Sequence, residues 1–143
     1  MIVYELLHTY FLCNNRPCLS YKRLGYYSDM NKIQESIAFY GKLPGFCETL
    51  DGFVINARDV ANMTSGDSFY EASIYAHTED FEDYEYEEVL GLFPNEKSAQ
   101  NAVASFCARN ALFMNNPLLE IEQLVQKYTV NERCGWIEGF VVE

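Results

Sequence analysis

Seven carboxylates crowd the stretch HTEDFEDYEYEEVLG, which begins at His77. They are Glu79, Asp80, Glu82, Asp83, Glu85, Glu87 and Glu88, threaded with Phe81, Tyr84 and Tyr86. Carboxylates at this density can ligate a hard cation, hold water along a strand edge, or present an anionic array to a basic partner. A calcium loop of the EF-hand kind needs acids or amides at its first, third and fifth positions, a glycine at the sixth and a glutamate at the twelfth. The run holds no glycine before Gly91 and no asparagine, so no calcium site is expected. Solvation accounts for the charge, and a charged edge also discourages strand pairing between molecules. It does not account for the aromatic residues. From Tyr84 onward the two types alternate, so a strand would set Tyr84 and Tyr86 on one face and Glu85 and Glu87 on the other. Side chains two apart on a strand lie about 6.6–6.8 Å from each other, close to the spacing of successive phosphates. Such an array suits a cleft rich in lysine or arginine, and tyrosines add rigid contact area that stacks on arginine. The expected partner-binding set is Glu79, Asp80, Glu82, Asp83, Tyr84, Glu85, Tyr86, Glu87 and Glu88.

Other reactive residue types are sparse. His8, with Tyr10 and Cys13, could be assembled into a nucleophilic site, but a general base needs a partner within hydrogen-bond reach and the spacing supplies none. A histidine that packs within a sheet is the favoured reading. Cys13, Cys18, Cys47, Cys107 and Cys134 are odd in number and lack a C-x-x-C pair, which favours reduced, partly buried thiols over disulfides or structural zinc. Gly45 in LPGF and Gly52 in DGF close a helix rather than open one, so they read as turn residues and not as a phosphate cradle. No catalytic residues, cofactor or metal are expected.

The chain has 143 residues, 49% of them hydrophobic and 15% aromatic, enough to bury a core. Its net charge of -11 argues against direct binding of nucleic acid or of an anionic membrane. No apolar run approaches the roughly 20 residues of a membrane span. The start MIVYELLHTYFL has no basic n-region and reads as a strand, so a cytoplasmic protein is expected. Charge separates the halves. Residues 1–66 carry six acids and six bases, whereas residues 67–143 carry fifteen acids and four bases. Such asymmetry is a partner signal.

A faint repeat at an offset of 66 organises the elements. Tyr4-Glu5 falls on Tyr70-Glu71, Leu24-Gly25 on Leu90-Gly91, Gln34 on Gln100, Ala38 on Ala104 and Ile55 on Ile121. In the first half, IVYELLHTYF and SYKRLGYYS read as strands. A helix capped by Ser28 or Asp29 follows, with Met30, Ile33, Ile37 and Tyr40 on one face, and then the strand DGFVINARDV. In the second half, SFYEASIYAH and YEYEEVLGLF are strands, and Asn95 caps a helix bearing Ala99, Ala102, Val103 and Phe106. LLEIEQLVQKYTV fits a strand or a helix. CGWIEGFVVE should complete the sheet, with Trp136 buried in a closing strand. The expected fold class is α+β, with two strand-strand-helix-strand repeats, mainly antiparallel sheet and one helix per repeat. Residues 1–66 would form a charge-neutral first repeat and residues 67–143 an acidic second one, joined as one compact pseudo-dimeric domain.

Taken together, YELLHTY, KRLGYYS, KLPGF, DGFVI and GWIEGF resemble a small bacterial domain family marked by Y-x-L-x-H-x-Y, K-x-x-G-x-Y-S, L-P-G-F, G-F-x-I and W-x-E-G-F. The first half carries the pattern through Ile55, and the closing motif returns only at Trp136 to Phe140. The resemblance implies a duplicated unit whose second copy has diverged, and it carries no established activity. In that second copy Ile74 replaces the histidine and NALF replaces LPGF.

The function expected from these features is a non-enzymatic interaction module whose acidic half docks a basic protein, in the manner of a bacterial toxin-immunity or inhibitor protein. Two alternatives stay open. One is a phage-type inhibitor that mimics nucleic acid. The other is a small-molecule sensor with a groove between the repeats lined by Tyr26, Tyr27 and Tyr40.

Overall fold

A computed structural model describes residues 1–13, 17–79 and 85–139, giving only the backbone of residues 10–13 and 17–20. The chain is α+β, with two three-stranded antiparallel sheets. Strands β1 (Ile2–Cys13) and β2 (Pro17–Tyr27) form a hairpin and lead into helix α1 (Met30–Tyr40). A short 3-10 turn then enters β3 (Phe53–Asp59). The order repeats as β4 (Ser68–His77), β5 (Glu85–Phe93), α2 (Glu96–Arg109), a four-residue helix α3 (Ala111–Met114) and β6 (Glu120–Thr129). The sheets run β2-β1-β3 and β5-β4-β6, so in each the first strand of the repeat is central. LLEIEQLVQKYTV is thus a strand, where its sequence also allowed a helix.

The offset of 66 holds to the single residue. The β1–β2 register slips between Leu6 and Leu7, and the β4–β5 register slips between Ala72 and Ser73. Opposite each bulge stands a glycine with positive φ, Gly25 at 133° and Gly91 at 153°, a backbone region that glycine alone enters freely. Two residues on, an aromatic ring lies over the bare Cα: Tyr27 in one case and Phe93 in the other. The helix caps also correspond. Asp29 accepts from the Lys32 amide and Asn95 from the Ser98 amide, each satisfying one of the donors that a helix start leaves unpaired.

Chain contacts divide the protein into two compact units. One comprises Ile2–Arg58 and Thr129–Glu143, and the other Met1 with Asp59–Tyr128. Residues 129–143, grouped by sequence with the second repeat, therefore belong to the unit of the first. This sharpens the charge asymmetry. The unit of residues 59–128 holds thirteen acids and three bases, while the other holds eight acids and seven bases.

In the first unit α1 lays Ile33 and Tyr40 on Leu6, Leu24, Tyr27 and Phe46, with Tyr4, Phe53 and Ile55 packed beside them. In the second, α2 lays Ala99, Val103 and Phe106 on Ala72 and Ile74. Met30, placed by spacing on the apolar face of α1, is 46% exposed. The closing strand expected at CGWIEGFVVE does not form over residues 133–139, and Trp136 is 42% exposed rather than buried. These residues instead cross the outer edge of β2 with unevenly spaced bonds. The Asn131 amide donates to the Tyr26 carbonyl (2.8 Å), the Cys134 amide to the Leu24 carbonyl (3.3 Å) and the Trp136 indole to the Arg23 carbonyl (2.9 Å). The segment covers edge carbonyls without laddering, which protects β2 from pairing with another chain.

Candidate functional site

YELLHTY, LPGF, DGFVI and Gly139 meet in one place in the first unit. His8 on β1 is fully buried, and its ring meets Phe46 of LPGF and Phe53 of DGFVI edge-on at 4.9 and 5.0 Å. Its Nε2 lies 2.9 Å from the Thr49 carbonyl, which can only accept, so Nε2 carries the proton. A methyl group on Gly52 would sit 2.6 Å from the Thr9 carbonyl and 2.8 Å from His8 Nε2, and one on Gly139 would meet the Gly45–Phe46 backbone at 2.8 Å. The glycines of the motifs are therefore close-approach points in a core. Gly45, at φ 80°, and the Phe46 and Cys47 amides bonded to the Leu43 carbonyl make LPGF a turn. Tyr10 and Cys13 have side chains outside the described residues. Tyr26, Tyr27 and Tyr40 all belong to the first unit, where each is 1% exposed.

The same unit buries a charge. Glu5, on β1 and 2% exposed, accepts from Arg23 Nε (3.1 Å) and the Tyr26 hydroxyl (3.1 Å) through one oxygen. Its other oxygen accepts from Asn56 (3.3 Å) and Arg58 (3.2 Å). Burial alone would raise this carboxyl's pKa. The two guanidinium charges and the hydrogen bonds from Asn56 and Tyr26 outweigh burial and hold it below its ordinary value.

The acidic stretch runs from the last residue of β4 into β5. Asp80, Phe81, Glu82, Asp83 and Tyr84 lie outside the described residues. Glu79 is exposed in the turn after β4, and Glu85, Tyr86, Glu87 and Glu88 open β5. Alternation along β5 parts these four. Tyr86 turns its ring onto Phe113, centroids 5.6 Å apart, and its hydroxyl donates to Glu88. Both therefore lie on the side of the α2 core, to which Phe113 belongs. Glu85 and Glu87, both exposed, take the opposite face, on which Glu71, Ser73 and His77 of β4 are buried. There Tyr75 of β4 pairs across from Glu87 and donates to Glu85 at 2.8 Å.

Strand β6 brings two further acids to this face. Glu120 lies 3.6 Å from His77, itself held by the Thr78 carbonyl at 2.8 Å. The Tyr75 phenol is pushed up to about 12, first by burial, then by its hydrogen bond to Glu85 and the charges of Glu85, Glu122 and Glu87. The face thus gathers Glu85, Glu87, Glu120 and Glu122 around Tyr75 and His77, while β4 and β5 contain no lysine or arginine. Glu120 and Glu122 went unnoticed in the sequence although a signal was present. They flank Ile121, the repeat partner of Ile55, so a strand with Ile121 inward must turn both outward.

Among the described residues no three His, Cys, Asp or Glu side chains come together as a metal-binding group. No described helix is long and apolar enough to cross a membrane. Of the cysteines described with side chains, Cys47 is exposed, against the expectation of partial burial, and Cys107 and Cys134 are half-buried. The chain matches no family model, no curated protein and no solved structure.

Proposed function

We propose that this protein is a non-enzymatic interaction module that docks a basic protein partner on the acidic face of the β5-β4-β6 sheet. The observation that carries the reading is the convergence of the exposed Glu85, Glu87, Glu120 and Glu122 around the half-buried Tyr75 at one end of the sheet. Four carboxylates from two strands, flanking a central strand without lysine or arginine, set up a negative potential over a rigid surface. Such a surface steers a cationic partner and fixes specificity more than it sets affinity. Tyr75 contributes flat contact area on which an arginine can stack. Glu79 extends the array toward the residues between β4 and β5, where Asp80, Glu82, Asp83 and Tyr84 add further partner-binding groups.

The most concrete form is an immunity or inhibitor protein of a bacterial cell that covers the basic substrate cleft of a toxin, such as a nuclease. Replacing Glu85, Glu87, Glu120 and Glu122 by glutamine tests the proposal by surface plasmon resonance against the captured partner. The expected result is an association rate slowed by about tenfold or more at low salt, within the range of electrostatic steering, with circular dichroism unchanged. An association rate equal to wild type at low salt overturns it.

A further inference from the structure

A second candidate site lies in the first unit, well away in sequence from the acidic stretch. A cavity of about 360 Å3 opens between helix α1 and the turn that follows β6. Lys32 and Glu35 project from α1 on one wall, and Glu132 and Arg133 stand on the other. Its lining also includes Tyr27 and Ser36, which are 1% and 3% exposed. The volume falls within the roughly 300–1,000 Å3 of small-molecule sites, but the lining is polar rather than apolar.

We propose that this cleft binds a small zwitterion of the free amino acid class. Each wall carries one charge of either sign, so a simple anion or a simple cation would meet a like charge on both sides. A ligand bearing a carboxylate and an ammonium within a few ångströms can answer all four. The walls are held in place before any ligand arrives. Asn131 stands in the left-handed region at φ 68°, fixed because its Oδ1 accepts from the Ser28 amide (3.0 Å) and its Nδ2 donates to the Ser28 hydroxyl (3.0 Å). Its own amide donates to the Tyr26 carbonyl at 2.8 Å. The Arg133 guanidinium rests over the Phe39 ring at 3.9 Å. The Tyr27 hydroxyl donates to the Leu24 carbonyl (2.8 Å) and is hydrogen-bonded to Ser36. Preorganisation of this kind lowers the cost of binding. The ion pair from Lys32 to Glu35 is long at 3.8 Å and solvent-exposed, and such pairs contribute little to stability, so a ligand can displace it readily.

The test is calorimetric titration of the full chain with each common L-amino acid, followed by the N-acetyl and amide derivatives of whichever binds. Lys32→Gln and Glu132→Gln are run beside wild type, and both replaced side chains belong to exposed residues. The expected result is binding of one or a few amino acids. Each derivative and each variant weakens it about tenfold or more, as loss of a charge-assisted hydrogen bond does. No binding at about 10 mM, a concentration at which mass action would register even a millimolar ligand, overturns the proposal. So does an N-acetyl derivative that binds as tightly as its parent, or an affinity unchanged in both variants.

Discussion

Glu5 shows how a charge comes to be placed inside a small sheet. Its carboxylate spends all its hydration, and four donors from β2 and β3 replace it. Breaking such a buried arrangement from one side costs on the order of 3–5 kcal/mol, and the share owed to Arg58 is smaller because that side chain is 44% exposed. Because the folded pKa lies below the ordinary 4.5, the stabilisation is complete above that ordinary value. It is lost as the pH falls through the folded value. Glu5→Gln is therefore expected to lower the urea-unfolding free energy at pH 7 by roughly 3 kcal/mol or more, with the gap to wild type narrowing as acid protonates Glu5. A gap that stays constant down to pH 3 would mean that Glu5 titrates alike in both states. The two bulge glycines give a second residue-scale expectation. Gly25 and Gly91 share positive φ, but only at Gly25 does a Cβ also meet a backbone atom, the Glu132 carbonyl at 2.8 Å. Both alanine variants should lose about 1–3 kcal/mol of stability from backbone strain, and Gly25→Ala should lose more in thermal unfolding. Equal losses would show that the segment after Thr129 yields at no cost.

At the scale of elements, the segment after Thr129 ties several parts of the first unit together. It caps Tyr40 through the Cys134 carbonyl at 2.6 Å, covers the β2 edge and locks LPGF through the bond from the Gly139 amide to the Pro44 carbonyl at 2.7 Å. Removing residues 130–143 should abolish hydrogen-exchange protection in β2 and α1 and leave the β4–β5 hairpin protected. Unchanged protection in β2 would contradict its place in that unit. Much of the architecture was legible because local chemistry repeated itself. Bulge, glycine and cap recur 66 residues apart, and Asp29 and Asn95 each precede a helical stripe. Two features were not legible. Residues around Trp136 looked like a closing strand because sequence alternation cannot distinguish ladder bonds from single bonds across an edge. The face that Glu120 and Glu122 join was the second: alternation about Ile121 turns both outward, but their neighbours come from strands about 45 residues away in the chain, a distance at which pattern says nothing of pairing.

For the whole molecule, charge is divided between units as sharply as any structural feature. The unit of residues 59–128 carries ten of the eleven net negative charges, and its sheet presents four of them together. Such a surface interacts by long-range attraction that salt screens with a Debye length of about 8–10 Å. Partner capture should therefore be strong at low ionic strength and fall steeply with added salt. The most direct measurement is affinity capture from the native cell lysate at low salt, with wild type and the Glu85, Glu87, Glu120, Glu122 glutamine variant in parallel and bound proteins identified by mass spectrometry. The account predicts a basic protein retained by wild type, released by salt and missing from the variant. The same proteins held equally by both, or nothing held by wild type, would contradict it.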